Sequence, residues 1–235
     1  ITFMETSDRY GWKTFEDDYL HMIIVLAGHE VAEIGDIYFN DEKVTIDADG
    51  FVTGERWKSL ARVKKHLGSP NQLADPDLVA ETSVDSNFRG RGIAYLYVRL
   101  DWDKDVFANG TPIITAMVKG RKVYDPRSGS TVWTDNAALC IRDYLEQPFG
   151  LNSIESPSSL GSSDWVTAAN VSDTLIVKKD SSSEKRFTLN GVVSTANTPR
   201  TNLQNMLTSC GGTLFWGQGQ WQFKAGYFPS GPYVS

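Results

Sequence analysis

Strict alternation is clearest between Gly92 and Trp102. There Ala94, Leu96, Val98, Leu100 and Trp102 fall on one side of an extended chain, and Ile93, Tyr95, Tyr97, Arg99 and Asp101 fall on the other. Both sides carry apolar or aromatic residues, so the segment reads as a strand covered on both faces. Tyr19 to Ala27 is more continuously apolar, through Ile23, Ile24, Val25 and Leu26, and reads as a second buried strand. Residues 1 to 19 show no period and read as an extended lead-in. Three pairs of runs are closed by turn residues and predict hairpins. Glu33 to Phe39 and Lys43 to Ile46 flank Asn40-Asp41, and Asn109-Gly110 turns the strand ending at Trp102 into Ile113 to Lys119. Lys122 to Tyr124 and Thr131 to Trp133 bracket Asp125-Pro126-Arg127-Ser128-Gly129. Residues 66 to 91 hold Pro70, Pro76 and Arg89-Gly90-Arg91-Gly92 without periodicity, and read as a loop insertion or a seam.

Helical spacing is confined to the second half. Asp135 is placed to cap a helix over 136 to 146, with Leu139, Cys140, Ile141, Tyr144 and Leu145 on one face and Pro148 beyond its end. Ser162 or Ser163 is placed to cap a second over 163 to 173, through Trp165, Val166, Ala169 and Val171. Thr198 caps a third over 199 to 210: Pro199 suits the first helical position, Leu203, Met206, Leu207 and Cys210 make an apolar stripe, and Gly211-Gly212 ends it. Glu184 to Leu189 reads as a short strand, and Thr213 to Trp216 with Gln220 to Lys224 as a C-terminal hairpin around Gly217-Gln218-Gly219. The fold class expected is therefore α+β and strand-rich. A β-barrel or sandwich-like domain over 1 to 134 precedes a smaller α+β domain with about three helices over 135 to 235.

Composition narrows the function classes. With 40% hydrophobic and 22% charged residues the chain has globular usage, and 235 residues suffice for one large core or two ordinary ones. A net charge of -6 argues against a surface that grips phosphates, because such surfaces cluster Lys and Arg. The longest apolar run, Met22 to Ala27, is far short of the ~20 residues a membrane helix needs. Cys140 and Cys210 sit in apolar helical patterns and read as reduced core residues. The chain starts at Ile1 with neither leader nor initiator Met, and ends at Gly231 to Ser235, which reads as a piece of a longer protein.

The search for chemistry yields no catalytic, cofactor or metal site. Asp47-Ala48-Asp49-Gly50 mimics the front of a calcium loop, but Arg56 stands where the bidentate Glu belongs; a tight turn is expected there instead. Asp101, Asp103 and Asp105 fail the same test at Val106 and Pro112. Gly90-Arg91-Gly92 opens like a dinucleotide loop but precedes a strand, with Tyr95 at the third glycine's place. His21, His29 and His66 stand at unrelated spacings and read as structural or surface residues. Asp101, Asp103, Asp105, Asp125 and Glu146 are the carboxylates from which a glycosidase pair would be drawn.

A resemblance covers most of the chain. Gly92-Ile93-Ala94-Tyr95-Leu96-Tyr97-Val98-Arg99-Leu100, the string from Pro112 to Gly129, and Trp133-Thr134-Asp135-Asn136-Ala137 through Leu145 resemble the tail-tip proteins of long-tailed phages, the family of the lambda tip attachment protein. A second block, Arg186 to Val193 with Thr198-Pro199 and Gly211-Gly212 to Trp221-Gln222-Phe223, is similar to the segment that follows in the same family. Leu20 to Phe39 matches more loosely. The usual pattern has Pro after the Asn, where this chain has Ala137. The resemblance implies a virion structural protein and not an enzyme, needing no cofactor. Three copies would form a ring of β-rich hub domains closing the tail tube at the tip, assembled in the bacterial host cytoplasm. The partners would be other tail-tip and tail-tube proteins, with the host receptor reached through downstream domains, and neither specific nucleic-acid binding nor a membrane segment is implied.

Two further readings are set beside it. A receptor- or carbohydrate-binding module would use Trp12, Trp57, Trp216 and Trp221 as exposed aromatics, and a peptidoglycan hydrolase would use Asp101 to Asp105.

Overall fold

The computed structural model describes residues 2 to 6, 19 to 150, 162 to 217 and 219 to 227. The chain forms two compact units, Ile1–Lys122 and Val123–Ser235. The division lies inside a strand, whereas the change of element type along the sequence falls near residue 134.

The first unit contains β1 (Thr2–Thr6), β2 (Tyr19–Ala27), β3 (Val31–Phe39), β4 (Glu42–Val44), β5 (Ala61–His66), α1 (Pro76–Glu81), β6 (Ala94–Asp101) and most of β7 (Ile114–Asp125). One antiparallel sheet has the order β1-β2-β6-β5, and another begins β4-β3-β7. Among the described residues neither closes into a barrel, so the expected alternatives resolve to two facing sheets. The reason is visible in β6, whose Ala94, Leu96, Val98 and Leu100 pack with Val31, Ile34, Ile37 and Phe39 of β3 in a shared apolar core. Its other face holds Tyr95 and Tyr97, which pack on Leu78 of α1. Both faces of the strand are thus covered.

The hairpin over Asn40-Asp41 forms, with φ of 50° and 65° at these residues, the left-handed pair that a two-residue hairpin turn requires. The hairpin expected through Asn109-Gly110 does not. Both edges of β6 are taken by β2 and β5, and β7 pairs with β3 instead. Asn40 fixes that choice locally, since its N–H donates to the Ile113 carbonyl at 2.8 Å and its side-chain oxygen accepts from the Ile113 N–H at 2.9 Å. β3 carries a bulge between Ile34 and Ile37. Lys65 Nζ donates to the carbonyls of Ile34 and Gly35 there, at 2.9 and 2.6 Å, replacing partners the irregular ladder cannot supply. The turn expected at Asp47 to Gly50 forms, with Asp47 Oδ1 accepting from the N–H groups of Asp49 and Phe51.

The second unit contains the last residues of β7, then β8 (Ser130–Trp133), α2 (Ala137–Glu146), α3 (Ser162–Asp173), β9 (Leu175–Val177), β10 (Ser183–Lys185), α4 (Pro199–Thr208), β11 (Thr213–Gly217) and β12 (Gln220–Lys224). β8 follows β7 through the expected turn, in which the Gly129 N–H donates to the Asp125 carbonyl and Gly129 has a φ of 71°. β9 with β10, and β11 with β12, form two-stranded sheets. β9 was not expected, and β10 is shorter than the 184 to 189 strand read from the sequence.

The core of this unit joins Leu139, Ile141 and Leu145 of α2, Trp165 and Ala169 of α3, Met206 of α4 and Phe223 of β12. The cap of α2 is Asn136 and not Asp135: Asn136 Oδ1 accepts from the Leu139 N–H, while Asp135 pairs with Lys185. Full burial explains the choice, because the Asn136 amide also donates to the Ala169 carbonyl at 2.9 Å and ties two helices together. The serine cap proposed for α3 lies outside the side chains described. α4 begins as expected on Thr198, with Pro199 first. Its stripe is narrower than expected, for Met206 and Cys210 are buried but Leu203 and Leu207 only half-buried. Asn202 is buried in their place, donating to Tyr144 Oη and the Ser194 carbonyl.

Candidate functional site

The residues weighed as catalytic are engaged within their own units. Asp101, Asp103 and Asp105 lie at the end of β6, where Asp103 Oδ1 accepts from the N–H groups of Asp105 and Val106 and so closes a turn. Asp125 and Glu146 belong to the second unit, each engaged by its own arginine, Arg127 at 2.8 Å and Arg142 at 2.9 Å. Among the described residues no three His, Cys, Asp or Glu side chains are placed to hold a metal ion, and no helix is long and apolar enough to cross a membrane. Of the four tryptophans, Trp57 is buried against Phe39 and Phe107, which corrects its expected exposure. Trp12 lies outside the described residues. Trp216 is exposed and meets the half-buried Trp221 edge to face at 5.3 Å. Both cysteines are free thiols, and burial pushes the Cys140 thiol up to about 12, which makes it unreactive.

The densest chemistry is a polar layer that sequence reasoning missed, on the face of the first sheet opposite its core. Register builds it in rows. His21 of β2 stands opposite Arg99 of β6, which stands opposite Arg62 of β5; Val25, Tyr95 and His66 form another row. Two guanidinium groups side by side would repel. Glu81, at the end of α1, answers both: Oε2 accepts from Arg62 at 2.6 Å and Oε1 from Arg99 at 3.1 Å. The Tyr97 hydroxyl donates to Glu81 Oε2 at 3.0 Å and meets His21 Nδ1 at 2.8 Å. Burial works against charge on Arg62, but its hydrogen bond to Glu81 and the nearby carboxylates outweigh it and hold the guanidinium more firmly protonated. Burial, with the Glu81 charge, pushes the Tyr97 phenol far up.

The second half of the layer holds the 67 to 93 segment down. Asp75 caps α1 by accepting from the N–H groups of Asp77 and Leu78, and its other oxygen meets His66 Nε2 at 2.7 Å. His66 stacks on Tyr95 with ring centroids 4.4 Å apart. Gln72 takes the Gly68 N–H and donates to the carbonyls of Arg89 and Gly90. Glycine is required at Gly90, where φ is +56° and a Cβ would fall 2.5 Å from the Tyr95 ring. The stretch read as an irregular loop is thus a strap pinned by polar bonds, with Leu78 as its buried apolar anchor. Asp75-Pro76-Asp77 was a legible signal for α1, a capping carboxylate followed by Pro at the first helical position.

Two tyrosines in this layer give a controlled comparison. The Tyr95 hydroxyl is buried without a hydrogen-bond partner among the described residues, and burial pushes its phenol up to about 12. Tyr95→Phe is expected to leave stability unchanged or raise it by up to about 1 kcal/mol, whereas Tyr97→Phe, which removes two bonds, should cost about 1 to 3 kcal/mol. Urea unfolding midpoints check both. Equal losses would refute the assignment of partners.

A second charged cluster braces the other unit. Arg127 engages both oxygens of Asp125 and reaches Asp173 at 2.8 Å, while Lys185 pairs with Asp135 at 2.7 Å and Asp173 at 3.2 Å. The Arg127 hydrogen bonds hold Asp125 below the usual carboxylate range. For Asp173 and Asp75 burial alone would raise the pKa, but Arg127 and Lys185 in one case, and His66 with two backbone N–H groups in the other, bring it below that range. A carboxylate whose folded pKa is depressed adds stability above its unfolded pKa, near ~4, and loses it as pH falls through the folded value. The unfolding midpoint is therefore expected to hold steady down to about pH 5 and to drop between about pH 4 and 2. A midpoint that does not move in that window would contradict these shifts.

Fold and site together define a strand-rich α+β protein whose polar clusters join its own elements. No family model matches the sequence, and no curated protein matches it. A chain from the virion of native gene transfer agent (GTA) particle is similar among solved structures at 18% identity and a TM-score of 0.45, over 89% of this chain and 47% of that one. This chain thus spans about half the length of that neighbour, and a likeness this loose carries no argument about function.

Proposed function

We propose that the chain is a structural component of a bacteriophage or prophage tail tip, a hub that closes the tail tube and links it to host-attachment parts. The observation that carries the reading is the long collinear resemblance of residues 92 to 145 to the tail-tip family. Those strings build β6, β7 with its following turn, and α2, the central pieces of the two cores. A shared scaffold is what such a resemblance describes, since core strings set a fold. In this reading three copies surround the tail axis, the partners are other tail-tip and tail-tube proteins, and the chain catalyses nothing. Gold-labelled antibody against residues of this chain, applied to intact particles, should decorate the tail tip with three-fold symmetry. Label on the capsid or along a lateral fibre would defeat the reading, and clearing of cell-wall glycan by the purified chain would defeat its non-enzymatic part.

The exposed Trp216 beside Trp221 favours one second reading, a carbohydrate-binding module, because an open indole face stacks on sugar rings. Glycan-array binding that disappears in Trp216→Ala would support it.

A further inference from the structure

An asparagine followed by glycine is exposed to attack by its own chain, because a glycine nitrogen has no neighbouring Cβ to hinder its approach to the asparagine side-chain carbonyl. The chain holds two such pairs, Asn109-Gly110 and Asn190-Gly191. By sequence they are equals, and the structure separates them. The Gly110 N–H donates to the Phe107 carbonyl at 2.8 Å with Gly110 at a φ of +89°, and Phe107 is buried, so Asn109 lies inside a closed turn anchored on the core. The Gly110 nitrogen has to give up that bond before it can turn on the Asn109 side chain. Asn190-Gly191 lies instead between two anchored residues. On one side the Leu189 N–H donates to the Asp135 carbonyl at 2.7 Å, and on the other the Ser194 carbonyl accepts from the buried Asn202 at 2.9 Å. Residues 190 to 193 are exposed and belong to no helix or strand. Among the described residues neither the Asn190 side chain nor the Gly191 N–H has a hydrogen-bond partner, and no atom lies within 4 Å of where a Cβ on Gly191 would stand.

We propose that Asn190 is a site of spontaneous covalent modification, deamidation through a cyclic imide formed with Gly191, and that the turn at Phe107 to Gly110 protects Asn109 from the same reaction. The Gly191 nitrogen gives its proton to solvent base and attacks Asn190 Cγ. A new carbon–nitrogen bond closes the succinimide ring, the bond from Cγ to the side-chain nitrogen breaks, and that nitrogen leaves as ammonia after taking a proton from solvent. One water then opens the ring at either of its carbonyls and yields aspartate or isoaspartate. Water is the only co-reactant, and nothing is oxidised or reduced. Either product places a new carboxylate on the exposed stretch before α4, and isoaspartate also lengthens the main chain there by one methylene. The inference goes beyond the virion reading and does not rest on it, since the reaction follows from local geometry whatever the chain assembles with.

Ageing of the whole folded chain in mildly alkaline buffer, followed by peptide mass spectrometry at both sites and enzymatic methyl-labelling of isoaspartate, tests it. Asn190 should convert at least about tenfold faster than Asn109, the factor set by opening one hydrogen-bonded turn. In concentrated urea the turn is gone, and the two rates should converge. Gly191→Ala is accommodated without strain, because Gly191 lies outside the left-handed region with open space around it. That variant should suppress conversion at Asn190 and leave Asn109 as it was. Equal rates in the folded chain, a faster Asn109, a gap that persists in urea, or a Gly191→Ala chain that converts at the native rate would each overturn the proposal.

Discussion

Trp165→Ala is expected to destabilise the second unit by about 3 to 5 kcal/mol, the largest single-residue loss foreseen in the chain. Trp165 is fully buried and stacks on Phe223 at 4.9 Å between centroids, with the rings only 11° from parallel. It therefore joins α3 to β12 through two residues more than fifty positions apart in sequence. Truncation removes the ring's transfer free energy and leaves a cavity the surrounding helices cannot fill, because Ala168 and Ala169 beside it have no longer side chains to extend. Trp165→Phe tests the source of the loss. The indole N–H has no hydrogen-bond partner among the described residues, so Phe forfeits volume but no bond and should cost less than half as much. Amide hydrogen exchange in α2 and α3 is the direct readout. Protection left intact in both helices by Trp165→Ala would place the residue outside the core.

Glu81→Ala is the second large effect, expected at about 2 to 4 kcal/mol. The carboxylate takes donors from Arg62, Arg99 and Tyr97, and the Arg62 side chain is only 8% exposed. Without Glu81 a buried guanidinium faces a second one across the strand pair, with Asp77 at 3.8 Å as its remaining counter-charge. The figure is held below that of a fully buried pair because Glu81 itself is 28% exposed and water screens part of the interaction. Glu81→Gln keeps an acceptor without the charge and should recover part of the loss. Limited trypsin digestion distinguishes a local opening from global unfolding: cleavage after Arg89 and Arg91 should quicken in Glu81→Ala under conditions that leave β6 protected. Cleavage rates equal to those of the native chain would show that Glu81 does not hold the strap.

The sequence by itself determined whatever depends on neighbours a few residues away. A continuous apolar run placed β2 and alternation placed β6, Asn40-Asp41 and Asp125 to Gly129 made their turns because those residues tolerate or pre-set the dihedrals, and Thr198-Pro199 began α4. Each of these is a local preference with a period or a cap, which one chain read from end to end reveals. Only the tertiary structure decided the rest. Asn109-Gly110 is a sound turn pair, yet β6 does not fold back on β7, because its two edges are satisfied by β2 and β5 and β7 finds β3. Asp135 and Asn136 are equal caps by type, and the choice fell to Asn136 because its amide reaches the Ala169 carbonyl in a core that water does not enter. The polar layer is the clearest case. His21 and Tyr97 lie 76 residues apart, and His66 meets an aspartate that also caps a six-residue helix. No spacing rule joins them. Strand register and the fall of the strap bring them together, and these are set by the burial of apolar side chains on the opposite face of the same sheet.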